Sequence, residues 1–200
     1  GYLAIEGGFD LEIFWNSIST LSRANIGPNS GMKIKINDKI VFNKLLKNIK
    51  NFATEIVEKK NNVIRVLKGS QFNYFSEKSK RDFFLNEYKI TNLTDRMGMR
   101  LEGMIIENIV NTNIKSEGII KGSIQVPADG QPIVLLTDHP TIGGYPKIAN
   151  VISADYDLLV QKIPGNKFCF QNVELHEAEQ LYRDHQNNIS QIIKNIKEIN

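Results

Sequence analysis

The feature that most restricts how this 200-residue chain folds is a succession of short apolar runs, each cut off by glycine, proline or a polar turn. Between residues 104 and 136 these runs are MIIENIV, GIIKGSIQV and PIVLL, punctuated by Gly118, Gly122 and the turn PADGQP. VIRVLKG (63–69), FFLNEYKIT (83–91), KIANVIS (147–153) and KFCFQ (167–171) repeat the pattern on either side. Runs of this length, rich in Val, Ile and Phe and bounded by turn residues, are strand signals. Many short strands divided by Gly/Pro turns predict a mainly β class, a barrel or sandwich with helices at its periphery.

Other stretches depart from that pattern. YLAIE (2–6) predicts a strand, and residues 9–20, which carry the only Trp (Trp15), a short helix or an irregular loop. SRANIGPNSG is a loop by its Gly, Pro and Asn content. KIKINDKIVF (33–42) alternates around Asn37-Asp38 and predicts a hairpin. In 43–60, Leu45, Ile49, Phe52 and Ile56 recur at helical spacing beneath a lysine-rich outer face, predicting an amphipathic helix or a loosely packed linker. Residues 71–80 predict a short helix. At the end, Leu175, Ala178, Tyr182, His185, Ile189, Ile192, Ile196 and Ile199 form a heptad stripe. The stripe predicts one long helix over 174–199, spanning about 39 Å. Asn172 is the expected N-cap, with Glu174 and Glu177 in the first turn. The apolar seam packs on the barrel or on a partner helix; the expectation is a homodimer.

Composition narrows the function classes. A chain this size buries roughly 70% of its unfolded surface and needs no staples. Its longest apolar runs are as short as IVLL, so no transmembrane helix is expected. No basic-then-apolar leader opens the sequence, and Gly1 directly precedes YLAI, as in a piece that starts inside a larger design. The lone Cys169, between two phenylalanines, is expected to be a buried strand thiol in a reducing, cytoplasmic setting. A net charge of +3, without basic residues interleaved with aromatics, argues against nucleic acid. His139, His176 and His185 have no zinc-type spacing, so no metal is expected, and no nucleophile motif supports a hydrolytic triad.

Three constellations carry chemistry. TDRMGMRLEG (94–103) places Asp95, Arg96, Arg100 and Glu102 within eight residues. Arginine forks bind carboxylate or phosphate in a bidentate way, so the segment is either an anion-recognition cluster or, more commonly, a structural ion-pair network. Gln125 and Gln131 flank the PADG turn; they either hold an amide-like guest or satisfy local backbone. TDHPTIGGYPK (137–147) supplies Asp138, Thr141, the backbone N–H groups of Gly143 and Gly144, the Tyr145 ring and the Lys147 cation. Adjacent glycines let backbone donors approach a ligand, although the same loop also serves as a stiff connection between strands.

YLAIEGG, SRANIG, TDRMGMRLEG, the SEG to IQVPADGQPIVLLTD stretch, TIGGYPKIANVI and a PG before KFCF follow one another in an order that resembles the biotin-dependent carboxyltransferase / allophanate hydrolase second-subunit family. The resemblance runs from Gly1 to about residue 185. TDRMGMR and HPTIGG differ slightly from the commoner SDRMGYR and QTTGG forms. The resemblance implies a cyclophilin-like β-barrel and one family domain over 1–200 without the family's N-terminal part. Within it, 43–62 is a variable connector and 173–200 a C-terminal helix.

The resemblance also implies a subunit of an ATP-dependent 5-oxoprolinase, working with a sister subunit of related fold on a small lactam. The alternatives are a urea-type carboxyltransferase or allophanate-hydrolase subunit, or a non-catalytic antagonist of a kinase inhibitor. ATP would serve the assembly; biotin enters only in the carboxyltransferase alternative, and the chain has no biotin-attachment segment. Both reactions build negative charge on an amide oxygen. The implied catalytic set is Asp95, Arg96, Arg100 and Lys147, with Gln125, Gln131, Asp138, Thr141, Gly143, Gly144 and Tyr145 around the substrate.

Overall fold

Alternation between core and surface sets the strands. Val63–Lys68 buries Ile64 and Val66 and leaves Lys68 in solvent; Glu87–Thr94 buries Tyr88 and Ile90; Gly98–Glu102 buries Met99 and Leu101. This period of two is the signature of a sheet with one covered face. The computed structural model describes residues 3, 5, 7–42, 51–53 and 61–199. In chain order its elements are β1 (Asn51–Ala53), β2 (Val63–Lys68), α1 (Glu77–Leu85), β3 (Glu87–Thr94), β4 (Gly98–Glu102), β5 (Glu117–Gly118), β6 (Ser123–Gln125), β7 (Ile133–Leu135), β8 (Ile142–Gly143), β9 (Lys147–Val151), α2 (Ser153–Val160), β10 (Lys167–Asn172), α3 (Leu175–Lys194) and β11 (Lys197–Ile199). They divide into two compact units, Gly1–Ala53 with Lys197–Asn200, and Thr54–Ile196.

In the larger unit the strands close a barrel in the order β10-β2-β9-β6-β7-β4-β3, as the predicted class requires. All neighbours are antiparallel except β10 and β2. Closure leaves no free edge. Ile64, Tyr88, Met99, Leu101, Ile124, Val134, Ile148 and Phe168 fill the interior. α1 covers one side of it: Phe83 stacks on Phe170 at 4.7 Å between ring centroids and meets Phe84 edge-on at 5.0 Å. Ser76 caps this helix, accepting from the Ser79 backbone N–H at 3.2 Å. FFLNEYKIT therefore divides: Phe83–Leu85 are helical and the strand begins at Glu87, a correction to the strand expected from Phe83 onward. MIIENIV is also not a strand; only Ile106 reaches the core, while Ile105 and Ile109 face solvent.

Beyond β9 the chain forms α2, which the apolar pattern did not announce. Its buried Asp155 accepts from the Arg65 backbone N–H and side-chain Nε, both at 2.8 Å, fastening the helix to β2. Cys169 lies in β10 but is half-buried rather than buried. α3 begins at Leu175 with Glu174 as N-cap and no capping side chain, so the expected Asn172 cap is not used; Asn172 ends β10. The helix stops at Lys194, where the Asn195 N–H closes back on the last carbonyls, and Lys197–Ile199 turn into strand. The helix expected to run to Ile199 is thus shorter than its heptad pattern. No helix among the described residues is long and apolar enough to cross a membrane.

In the smaller unit β1 and β11 pair antiparallel. Asn51–Ala53 are strand, correcting the helix expected there; the rest of that expectation, 43–50 and 54–60, lies outside the described residues. Leu3 and Ile5 are not strand, and the remainder of YLAIE lies outside the described residues. Residues 9–20 take the irregular alternative, held by a bridge between Phe14 and Ser17. In 33–42 the turn forms, with Asn37 at φ 74° and the Asp38 N–H donating to the Lys35 carbonyl at 3.1 Å, but the two arms do not pair as a hairpin ladder.

Candidate functional site

Register across the barrel carries one residue from each of the three sequence constellations onto one surface. Arg100 pairs with Ile133, Ile133 with Gln125, and Gln125 with Lys147. Opposed residues in a sheet project to the same side, and the next row inward, Met99, Val134, Ile124 and Ala149, belongs to the core. Arg100, Gln125 and Lys147 therefore stand on the outer face in a single row. Three strand spacings separate its ends, about 14 Å. Between Gln125 and Ile124 the partner strand gains a residue, Ile148, in a β-bulge beside Lys147.

The two-stranded β5–β8 flap covers the far end of that row, with Glu117 opposite Gly143. A Cβ on Gly143 would lie 2.6 Å from Gln125 Nε2, so glycine lets the flap close this near the barrel with the Gln125 amide in its present place. Gln125 Nε2 donates to the Tyr145 carbonyl at 3.4 Å. Both Gln125 and Lys147 are buried in consequence. The Lys147 ammonium donates to Glu117 Oε1, the oxygen that also accepts from Gln71 Nε2 at 2.7 Å. Gln71 is tied to Lys147 twice more: its Oε1 accepts the Lys147 backbone N–H at 3.1 Å, and its own N–H donates to the Lys147 carbonyl at 3.3 Å. These donors hold the Glu117 carboxyl below the usual carboxylate range, Lys147 first and Gln71 second.

The remaining candidates have other partners. Arg96 grips Asp138 through Nε at 2.6 Å and a second guanidinium nitrogen at 3.0 Å, and backbone bonds run from Asp138 N–H to the Arg96 carbonyl and from Leu136 N–H to the Met97 carbonyl. The two sequence loops thus meet directly. The pairing raises the Arg96 pKa and lowers that of Asp138, in each case chiefly through the side-chain hydrogen bond. Asp95 Oδ1 accepts the N–H groups of Met97 and Gly98 at 2.8 and 3.1 Å and closes the turn into β4. Arg100 pairs with Asp129 of the PADG turn. Gln131 exchanges both amide functions with the Gly103 backbone, at 3.0 and 3.3 Å, which is the local backbone role. The Gly144 carbonyl accepts from the Ile114 N–H and the Thr141 carbonyl from the Ile119 N–H, so these residues anchor the flap. Tyr145 presents its ring to solvent.

Sequence patterns did not single out Gln71 or Glu117. Glu117 lies in the quoted SEG stretch, the one signal that pointed to it; Gln71 sits in a short turn 76 residues from Lys147 with nothing local to mark it. Among the described residues no cluster of His, Cys, Asp or Glu has the makings of a metal site. What the arrangement offers is a fixed, water-poor cation with an amide at its side, next to a flap whose carboxylate is half in solvent. Such a cation stabilises charge that develops on a nearby oxygen.

A family model for the carboxyltransferase domain, subdomain A and B, matches residues 1–172. The chain is 38% identical to a 5-oxoprolinase subunit of Haemophilus influenzae over 202 residues, covering 100% of this chain and 64% of that protein. It is 33% identical to the corresponding 5-oxoprolinase subunit of Escherichia coli over 193 residues, covering 96% of this chain and 62% of that protein. The chain therefore spans less than two thirds of the length of either relative. The crystal structure of the K. lactis urea amidolyase superposes with a TM-score of 0.79 at 22% identity, over 93% of this chain and 13% of that one, which is a likeness of fold.

Proposed function

The chain belongs to the carboxyltransferase-domain family, and from that premise we propose that it forms part of a 5-oxoprolinase, the hydrolase assembly that opens the lactam of 5-oxoproline to glutamate at the expense of ATP. Two relatives named as 5-oxoprolinase subunits, at 38% and 33% identity, support this substrate class over urea, for which the solved neighbour supplies fold alone. That both are named as subunits supports a sister chain as the working partner. A second copy pairs with this one through the outer face of α3.

The observation that carries the chemistry is the buried Lys147 ammonium at the end of the Arg100–Gln125–Lys147 row. Opening an amide places negative charge on its oxygen, and Lys147 is the preorganised cation for it. Gln71 and Glu117 hold the ammonium in place, and Gln125 faces the amide of the guest. Arg100, at the other end of the row and paired with Asp129, reaches a guest held at Lys147 only by swinging its long guanidinium arm along the row toward it.

The test is to combine the chain with its sister subunits, ATP and 5-oxoproline and to follow glutamate release. Lys147→Ala is expected to lower kcat about 10²–10³-fold, as loss of one oxyanion donor does. Arg100→Ala is expected mainly to raise KM. Turnover indifferent to Lys147→Ala, or tight assembly with no turnover, overturns the proposal.

A further inference from the structure

Two hydrogen-bond donors converge on a single oxygen between the barrel and the flap. Glu117 Oε1 accepts from the Lys147 ammonium and from Gln71 Nε2, the latter at 2.7 Å. An ammonium and an amide N–H aimed at one point are the contacts that an oxyanion hole offers its guest. Here a carboxylate of the same chain fills that point.

The donors are fixed and the carboxylate is free to turn. Gln71 is 8% exposed, and its Oε1 takes the Lys147 backbone N–H at 3.1 Å and the Ser70 hydroxyl at 3.0 Å. A backbone N–H can only donate, so the amide is oriented with Nε2 toward Glu117. The Gln71 backbone N–H donates in turn to the Lys147 carbonyl at 3.3 Å, which ties both donors to one short piece of barrel. The Lys147 side chain is 7% exposed and that of Glu117 42%. The ammonium is thus shut off from water, while the carboxylate has water beside it to turn into. That rotation moves neither donor, and the β5–β8 ladder keeps the Glu117 backbone in place.

We propose that Lys147 and Gln71 form an oxyanion hole plugged by Glu117, and that an oxygen of the guest bearing full negative charge takes the place of Glu117 Oε1. The hole rests on the reading of Lys147 as the cation for the opening amide; Gln71 becomes its second donor and Glu117 a competitor for it. Exchanging one anionic oxygen for another keeps the buried ammonium compensated, and Glu117 leaves into water as a carboxylate without taking a proton. A neutral lactam oxygen gives no such compensation and does not expel Glu117. The oxygen that turns negative as the amide opens does. The plug therefore reserves the hole for the transition state, and interactions made only there are the ones that accelerate the reaction.

Formate, the smallest carboxylate, is the probe. It is titrated into the full chain and into its Glu117→Ala and Glu117→Gln variants. Lysine side-chain NMR follows Lys147, whose signal is assigned by its loss in Lys147→Arg. The resident carboxylate competes in the unmodified chain, so Glu117→Ala is expected to bind formate at Lys147 at least about tenfold tighter. Glu117→Gln keeps the size of the side chain, is expected to give a smaller gain of the same sign, and serves where the alanine variant does not fold. Gln71→Leu added to either variant is expected to undo most of the gain. A gain that survives the loss of Gln71 overturns the hole in favour of a bare cation. Equal formate affinity in all three chains, or no response of Lys147 in any, overturns the plug even where glutamate release depends on Lys147. Formate captured by the variants through Gln71, together with turnover indifferent to Lys147→Ala, supports the plugged hole and overturns only its use on 5-oxoproline.

Discussion

Lys147 donates its buried ammonium to Glu117, a residue 30 positions away on a separate two-stranded flap. The carboxylate is shared with Gln71, so one oxygen joins three distant segments of the chain. Glu117 titrates below its ordinary value of 4.5 in the folded protein, because the Lys147 hydrogen bond, then that of Gln71, favours the charged form. A depressed carboxyl contributes stability at all pH above its unfolded value and loses it as pH falls through the folded one. The pair therefore persists through neutral pH and opens only in acid. A carboxyl carbon titration by NMR is expected to place Glu117 below 4.5, and Lys147→Met to move it back up. A midpoint at or above the ordinary value in the unmodified protein contradicts the pairing.

Two glycines next to this cluster predict opposite outcomes. A Cβ on Gly69 would lie 2.3 Å from the Lys147 carbonyl oxygen and 2.9 Å from the Ala149 nitrogen. Backbone atoms inside a barrel cannot step aside, so Gly69→Ala is expected to cost about 1–3 kcal/mol in urea unfolding. At Gly143 the nearest atom is the Gln125 amide nitrogen, the mobile end of a side chain. Gly143→Ala is expected to leave the unfolding midpoint nearly unchanged and to turn Gln125 away from the Tyr145 carbonyl. Crystallography of the variant or its KM for 5-oxoproline reads that displacement. Equal destabilisation by both substitutions is the contrary result.

The barrel was legible where its signals are local. VIRVLKG, KIANVIS and KFCFQ gave β2, β9 and β10 because short runs rich in β-branched and aromatic residues, bounded by turn residues, are a local strand signal. MIIENIV misled because apolar content without a period does not specify a strand; Ile106 dips into the core from a loop. Phe83 misled because an aromatic pair favours strand locally, while the Ser76 cap and the stack on Phe170 make it helical. In the candidate site, Gln125 was visible as a residue type beside the PADG turn, and Gly143 and Lys147 in the 137–147 stretch. Gln71 was not, since its partners come from tertiary convergence; Asp95 and Gln131 close turns in the structure, with polar side chains of the same types that bind ligands.

Asp155 offers a test of how the helical layer is held. Its side chain is 4% exposed and takes both the Arg65 backbone N–H and the guanidinium. The contact raises the Arg65 pKa, chiefly through the Asp155 hydrogen bond. Removing one partner of a buried pair leaves the other uncompensated. Breaking such a pair costs about 3–5 kcal/mol; Arg65, at 27% side-chain exposure, regains some water, which places Asp155→Ala at the lower end, about 3 kcal/mol. Arg65→Met keeps the packing but strands a carboxylate, and is expected to cost at least as much. A thermal or urea midpoint unmoved by either contradicts the fastening role.

The outer face of α3 is where a second copy would bind. Ala178, with Leu181, packs against Ile152 and Val173, so the first turns of the helix rest on the barrel unit. Farther along, Tyr182, Ile189 and Ile196 of the heptad stripe are exposed. Leu175 at the start of the stripe is exposed as well, with Ala178 buried and His185 and Ile192 half-buried, so a stripe left largely bare by its own fold matches a helix that meets a partner helix. Ile189 is 36% exposed, so covering it stabilises by roughly a third of the value for a fully exposed isoleucine, about 0.5–1 kcal/mol per copy, and a lysine there adds a charge to be desolvated. Ile189→Lys is therefore expected to raise the dimer dissociation constant by at least about tenfold, the equivalent of 1.4 kcal/mol. Sedimentation equilibrium over a wide concentration range measures this. The mutation leaves Trp15 and residues 9–42 untouched, so a dimer lost on this substitution maps to the helix. A chain that sediments as a monomer at every concentration, with or without the change, excludes the helical interface.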